Sequence, residues 1–410
     1  MRIAMISEHA SPLVAPGGVD AGGQNLHVAE LATALSARGH EVRVYTRRHG
    51  DLPEIVDLAG GVQVVHVPAG PPEPLPKDEL LPFMGGFGRY LAAQWERGPW
   101  RPDVAHSHFW MSGLAALTAR ARYPLPVVHT YHALGSVKRR YQGDRDTSPA
   151  QRIGYERVLG RQVDQVIAQC ADEVGELVAL GIPRAGIRLV SSGVDTGRFT
   201  PSGPRAQPHR AGGRILSVGR LVERKGYADL VEALPLVPEA EVVVIGGPPP
   251  AELGADPLAR RLRRLAEQCG VADRFRLVGA VPRAEMPGWY RSADVVACAA
   301  WYEPFGLTPL EAMACGIPVV AYAVGGFIDT VVDQVTGVLV RPRDIKALAG
   351  ALRALIGDPL RQLEHAAAAV DRARERYSWD RSAEQLIAVY AALAGVPVDD
   401  LELPAAAGAA

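Results

Sequence analysis

Ile215-Leu216-Ser217-Val218-Gly219-Arg220-Leu221-Val222-Glu223-Arg224-Lys225-Gly226 decides how this chain of 410 residues is organised. The apolar run closing on Gly219 reads as a buried strand, and 220–226 as a polar loop. The stripe Leu230, Val231 and Leu234 reads as the helix after it. The N-terminus follows the same plan. An apolar strand over 2–7 leads into Gly17-Gly18-Val19-Asp20-Ala21-Gly22-Gly23. A helix then carries Val28, Leu31, Ala32 and Leu35 on one face, and Gly39 stops it. A plan that starts afresh in mid-chain predicts two similar halves.

Working outward, strands are expected at 42–46, 62–67, 104–106, 127–131, 166–168 and 187–190 in the first half. The second half adds 242–245, 275–278, 295–298, 319–322 and 338–340, with a helix capped by Asp256 and begun by Pro257. Many of these strands are almost wholly apolar, as when helices cover both faces of a sheet. Strands alternating with helices predict parallel sheets. The fold class expected is α/β: two Rossmann-like, doubly wound domains facing each other. Residues 191–213, rich in Gly, Pro and Ser, read as the linker. The expected domains are 1–195 and 196–375. A helix over 376–394 carries Ala383, Leu386, Ile387 and Tyr390, and 395–410 is a flexible tail.

Lys plus Arg number 44 against 45 for Asp plus Glu, so net charge gives no case for a nucleic-acid binder or an acidic-membrane binder. Cys170, Cys269, Cys298 and Cys315 lie far apart, which excludes a zinc ribbon and argues against a disulfide framework. The opening residues are too short an apolar run for a signal peptide, and nothing approaches a membrane span. A soluble, cytoplasmic protein is expected.

The most informative motif is Trp301-Tyr302-Glu303-Pro304-Phe305-Gly306-Leu307-Thr308-Pro309-Leu310-Glu311. Thr308 reads as a helix N-cap, Pro309 as the first helical residue and Glu311 as the far end of a capping box. Gly316 and Pro318 end the helix. Its N-terminus would face an anion at the carboxyl edge of a sheet. Taken alone, the motif is equally a capped surface helix beside a surface acid. Glu303, set between aromatic residues, is well placed to accept hydrogen bonds from sugar hydroxyls.

Two Glu residues with seven between them in this setting resemble the signature of retaining glycosyltransferases of family four. Gly18 to Gly23, His106-Ser107-His108-Phe109-Trp110 and His129-Thr130-Tyr131-His132 are similar to further motifs of that family. So are Gly219-Arg220 with Lys225-Gly226, and Gly325-Gly326. The nearest kin by resemblance are mycothiol-pathway glycosyltransferases and the sucrose and sucrose-phosphate synthases. The resemblance implies the GT-B fold, with the active site in the cleft and a last helix returning to the first domain.

The resemblance also implies roles. Arg220 and Lys225 would grip the donor diphosphate, Glu311 the ribose and Glu303 the sugar ring. Backbone groups of Phe305, Gly306, Leu307 and Thr308 would contact sugar and phosphate, and groups near Val281 the base. Gly22 and Gly23 would face the diphosphate, and His132 the reaction centre. Transfer would retain the anomeric configuration by front-face substitution, with the departing phosphate oxygen taking the acceptor's proton. No protein nucleophile is assigned. No cofactor is expected beyond a nucleotide-sugar co-substrate, UDP-linked by preference, carrying glucose or N-acetylglucosamine. No metal is expected either, because His106, His108, His129 and His132 lack an Asp, Glu or Cys to complete a set.

In the mycothiol relatives a Lys, a Tyr, a Thr and an Arg hold an acceptor phosphate. Lys77 and Arg152 match two of these, but Phe109 and Ala133 stand at the other two positions. An unphosphorylated cyclitol, aminocyclitol or other small polar acceptor is expected. The run Lys138-Arg139-Arg140 reads as a solvated basic face. Two rival readings remain: an NADP-dependent oxidoreductase, which the glycine pattern fits poorly, and a non-catalytic nucleotide-sugar-binding protein. The oligomeric state is open, a homodimer included.

Overall fold

The computed structural model describes residues 1–14, 22–208 and 211–396. The chain divides into two units. One takes in residues 1–14, 23–191 and those from 379 onward, the other Gly22 with residues 192–378. The first division therefore falls at 191/192 instead of 195/196. Most of the stretch expected to be a tail lies outside the described residues, as does most of the N-terminal Gly-rich loop.

The first unit holds an eight-stranded sheet. Its strands are β1 (Arg2–Ile6), β2 (Glu41–Arg47), β3 (Ile55–Leu58), β4 (Val62–Val67), β5 (Val104–His108), β6 (Val127–Thr130), β7 (Gln165–Ala168) and β8 (Ile187–Leu189). The spatial order is β3-β4-β2-β1-β5-β6-β7-β8. All pairings are parallel except β3 with β4, so an all-parallel sheet was too simple an expectation. Strand β3 escapes notice because it is short and half-exposed at the edge, with no apolar run to mark it. The central strand β1 buries Ile3, Ala4, Met5 and Ile6 completely, because helices cover both faces.

The second unit holds β9 (Arg214–Val218), β10 (Glu241–Ile245), β11 (Phe275–Gly279), β12 (Val295–Cys298), β13 (Val319–Tyr322) and β14 (Gly337–Val340). They form a parallel sheet in the order β11-β10-β9-β12-β13-β14. The expected cap at Asp256 is present, accepting the Ala259 N–H at 2.8 Å at the start of the helix Pro257–Gln268. The stretch read as the linker is packed down over its first part and exposed over 201–206. Phe199 is buried against Tyr290, and the Val194 N–H donates to the Tyr377 carbonyl at 2.6 Å. Its apolar anchors outweigh its loop-like composition.

The last helix, Trp379–Ala394, belongs to the first unit. It packs along the helix Gly23–Ala37, where Arg38 holds Asp380 in a two-pronged bridge at 2.6 and 2.8 Å. It also sends the Tyr390 hydroxyl to within 2.6 Å of His106 Nδ1.

Candidate active site

In each sheet the strand order reverses direction beside the unit's first strand, at β1/β5 and at β9/β12. Loops diverge at such switch points, and ligands bind outside the carboxyl ends of the strands there. In the second unit the loop after β9 carries Arg220 and Lys225, and the loop after β12 carries Glu303. Lys225 Nζ donates to Glu303 Oε2 at 2.7 Å, and Arg224 lies 3.8 Å from the same oxygen. Burial acts to raise the Glu303 carboxyl, but Lys225, Arg224 and Arg220 outweigh it and hold it below the usual range. Glu303 is thus a carboxylate, an acceptor for hydroxyl donors. Arg224 also stacks over Tyr302, 5.0 Å from the ring centre, and its carbonyl accepts the Trp301 N–H. The sequence pairing of Arg220 with Lys225 overlooked this brace.

The 303–308 turn is held by backbone packing. Gly325 has φ of 46°, and a Cβ there would come within 2.1 Å of the Glu303 carbonyl. The N–H of Gly326 donates to that carbonyl at 3.0 Å. The Gly325-Gly326 pair therefore shapes the acid loop, since any side chain would push Glu303 away.

The helix after the turn starts two residues earlier than expected. It spans Leu307–Ala314 and is capped by Gly306 with φ of 100° and no side-chain cap bond. Thr308 lies inside it and donates to the Val218 carbonyl at 3.3 Å, so Thr308 and Glu311 form no capping box. A left-handed Gly turned the chain before Thr308 could. Glu311 instead accepts from Arg283 at 2.5 Å and from the Tyr290 hydroxyl at 2.7 Å. Both partners come from segments far from the motif, and both were missed. Arg283 does follow Val281, half-buried in the loop after β11.

In the first unit the switch point is lined by imidazoles. His108 ends β5, and His132 follows β6 in a left-handed conformation with φ of 60°. Such a backbone is uncommon outside glycine and concentrates at functional sites. His108 Nδ1 and His132 Nε2 are 2.9 Å apart, and His27 meets His132 edge-on at 4.7 Å. Burial pushes His27 and His129 down to about 3 and lowers His106, His108 and His132, so the cluster is neutral. Among the described residues, the trio whose nitrogens could share a metal, all within 4.8 Å, is His27, His108 and His132. That differs from the set the sequence suggested. His106 is turned to Tyr390 and Thr130, and His129 to Ser107.

Arg152 is almost fully buried. Its guanidinium donates to Glu156 at 2.7 Å, to Ser148 at 3.1 Å and to the Ala133 carbonyl at 2.5 Å, and it lies 5.0 Å from the Phe109 ring centre. Glu156 also accepts the Gly135 N–H. Lys77 is half-buried in a short turn, Lys77–Glu79. The basic run beyond is paired with acids: Lys138 with Asp146 at 2.9 Å, and Arg140 with Glu176 at 2.6 Å. Gly22 and Gly23 stand at the start of the helix Gly23–Ala37.

Two doubly wound sheets, one with a carboxylate framed by cations at its switch point, define a GT-B glycosyltransferase. The family model described as glycosyl transferases group 1 matches residues 209–376, and that described as glycosyltransferase family 4 matches residues 21–198. The D-inositol 3-phosphate glycosyltransferase of Xylanimonas cellulosilytica is 41% identical, over 95% of this chain and 96% of its own. That of Geodermatophilus obscurus is 39% identical, over 96% of this chain and 90% of its own. The sucrose-phosphate synthase of Thermosynechococcus elongatus has a solved structure that is 30% identical, with a TM-score of 0.86, covering 97% of this chain and 100% of that one. The chain belongs to glycosyltransferase family 4, and the oxidoreductase reading falls away. No helix among the described residues is long and apolar enough to cross a membrane.

Proposed function

We propose that this glycosyltransferase moves a hexosyl or N-acetylhexosaminyl group from a nucleoside-diphosphate sugar, UDP-linked first, to a hydroxyl of a small unphosphorylated polyol. Anomeric configuration is retained, as the family likeness implies. The observation that carries the donor half is the Lys225–Glu303 contact at the β9/β12 switch point. Lys225 and Arg220 supply positive charge for a departing diphosphate. Glu303 accepts from the hydroxyls of the sugar, Glu311 from the ribose, and the 305–308 backbone contacts the sugar and the phosphate. His132 keeps the role at the reaction centre that the family likeness implies. No metal enters this reading.

The acceptor half rests on Arg152. Its charge is matched by buried Glu156, and the neighbouring positions are Phe109 and Ala133, without hydroxyls. A phosphate monoester would meet an arginine already neutralised. A cyclitol or aminocyclitol makes no such demand. The test is product mass spectrometry with UDP-, GDP- and ADP-sugars against myo-inositol, inositol 3-phosphate and scyllo-inosamine. We expect product from the two unphosphorylated acceptors with a UDP-sugar. Preference for inositol 3-phosphate would overturn the acceptor half and leave the donor half standing.

A further inference from the structure

Glu311 is a buried carboxylate whose two oxygens are each held by a different donor. Arg283 Nη1 donates to Oε1 at 2.5 Å, and the Tyr290 hydroxyl donates to Oε2 at 2.7 Å. Arg283 comes from the loop after β11, and Tyr290 from the short helix Met286–Arg291 that follows it. The Glu311 side chain is 7% exposed, and Tyr290 is fully buried. Both donors rest on Phe199. The Arg283 guanidinium lies 4.8 Å from the centre of that ring, and the Tyr290 ring meets it edge-on at 5.9 Å. Phe199 is buried in the segment leading into β9. Arg291 ties that segment to the short helix by donating to the Thr200 and Pro204 carbonyls at 3.1 and 3.0 Å. The whole brace lies within the second unit.

Counting lone pairs gives this brace a meaning. A carboxylate offers about four acceptor positions, two on each oxygen. Arg283 and Tyr290 each take one, on different oxygens, so each oxygen keeps one for a ligand. Two hydroxyls on adjacent carbons match that pair, and a ribose carries two; a deoxyribose brings only one. The carboxylate is also ordered before any ligand arrives, so binding does not have to freeze its torsions.

We infer that Tyr290 and Arg283 are positioning residues that hold Glu311 as a two-pronged acceptor for vicinal hydroxyls, so that the site selects ribonucleoside over deoxyribonucleoside diphosphates. This rests on the proposed assignment of Glu311 to the ribose, which by itself gives its two partners no role. A deoxynucleotide leaves one oxygen of a buried carboxylate without its hydroxyl. A site built to bond a hydroxyl rejects the analogue that lacks it for this reason. Without the Tyr290 hydroxyl, Oε2 loses its fixed direction and the carboxylate can turn about the Arg283 bond. The two hydroxyls then no longer meet both oxygens at once.

The test is titration calorimetry of the full chain with UDP, 2′-deoxy-UDP and 3′-deoxy-UDP. If GDP or ADP binds in place of UDP, its deoxy analogues are used. The wild type should prefer the ribonucleotide about ten- to a hundredfold, the range for a hydrogen bond to a charged group. Tyr290→Phe removes only the hydroxyl and should narrow that preference by about fivefold or more, UDP losing more affinity than either analogue. A brace that served packing alone would weaken all three nucleotides alike. Arg283→Gln should narrow the preference too, and it covers the case in which Tyr290→Phe does not fold. Glu311→Gln should abolish the preference. If it does so while folded Tyr290→Phe and Arg283→Gln keep the full preference, the inference is overturned and the ribose reading stands. If Glu311→Gln keeps the preference, or the wild type shows none, both are overturned.

Discussion

The two switch points are built on one plan and differ in charge. The second unit presents Arg220, Arg224 and Lys225 around a single carboxylate, Glu303, which they keep ionised. The first unit presents imidazoles that burial keeps neutral, and the buried Arg152 beside them is offset by Glu156. A diphosphate gaining charge as it leaves needs the first kind of surface. The unphosphorylated acceptor proposed above makes no demand for a cationic surface, and hydrogen-bonding direction counts for more there than field. At each switch point side chains, not topology, set the local field.

The most severe way to break the contrast is to expose the hidden charge in the first unit. Glu156→Leu would leave Arg152 buried without its carboxylate. Loss of one partner of such a pair costs about 3–5 kcal/mol. We expect a fall of that size in urea unfolding, larger than for any exposed pair such as Arg140–Glu176. An unchanged unfolding midpoint would mean that water or another acid already serves Arg152.

In the second unit the effect should appear in rate before stability. Lys225→Ala should cut kcat by ~10²–10³, the range for losing one key donor to transition-state charge. UDP affinity should fall as well, because the ground-state diphosphate is already anionic. Glu303→Gln should keep UDP affinity and impair transfer of the intact sugar. Titration calorimetry with UDP and initial rates separate the two variants. Equal loss of UDP affinity in both would put Glu303 on the wrong part of the donor.

A third expectation concerns acid. His27 and His129 are held near 3 by burial, against about 6.5 for a free imidazole. As pH falls, the unfolded chain takes up these protons first. The stability they contribute is complete above about pH 6.5 and is lost progressively towards pH 3. Glu173, raised by burial to about 7, works in the opposite sense, as do Glu156 and Asp229, but the imidazoles lowered by burial outnumber them. Melting temperature should therefore drop between pH 6.5 and 4.5, and His129→Gln should flatten that slope. A profile level over this interval would show that the imidazoles are hydrated.

Much of this was legible in the chain because apolar runs and their punctuation are local. The strand–loop–helix restart at 215–226 and the acid motif at 303–311 announce themselves by spacing. What stayed hidden depends on partners distant in sequence. Arg283 and Tyr290 reach Glu311 from the loop after β11 and the helix that follows it. Ser112 reaches Glu8 across more than a hundred residues. Thr308 satisfies every local rule for a cap, yet Gly306 had already turned the chain. Arg152 and Glu156 sit four apart, a spacing that also describes an ordinary surface bridge; only burial distinguishes them.

The smallest expected effect is the response to chelation. On the proposed reading Arg220 and Lys225 meet the leaving diphosphate and stand in for a metal ion there. In the first unit, His108 Nδ1 and His132 Nε2 are already occupied with one another at 2.9 Å. Turnover measured in EDTA should match turnover without it. Loss restored by magnesium or manganese would mean that the protein cations are insufficient and that the donor site needs a hard ion on the phosphates. Loss restored by zinc alone would point to His27, His108 and His132, since nitrogen ligands favour zinc over magnesium. The metal that restores activity would therefore show which of the two switch points had been misread.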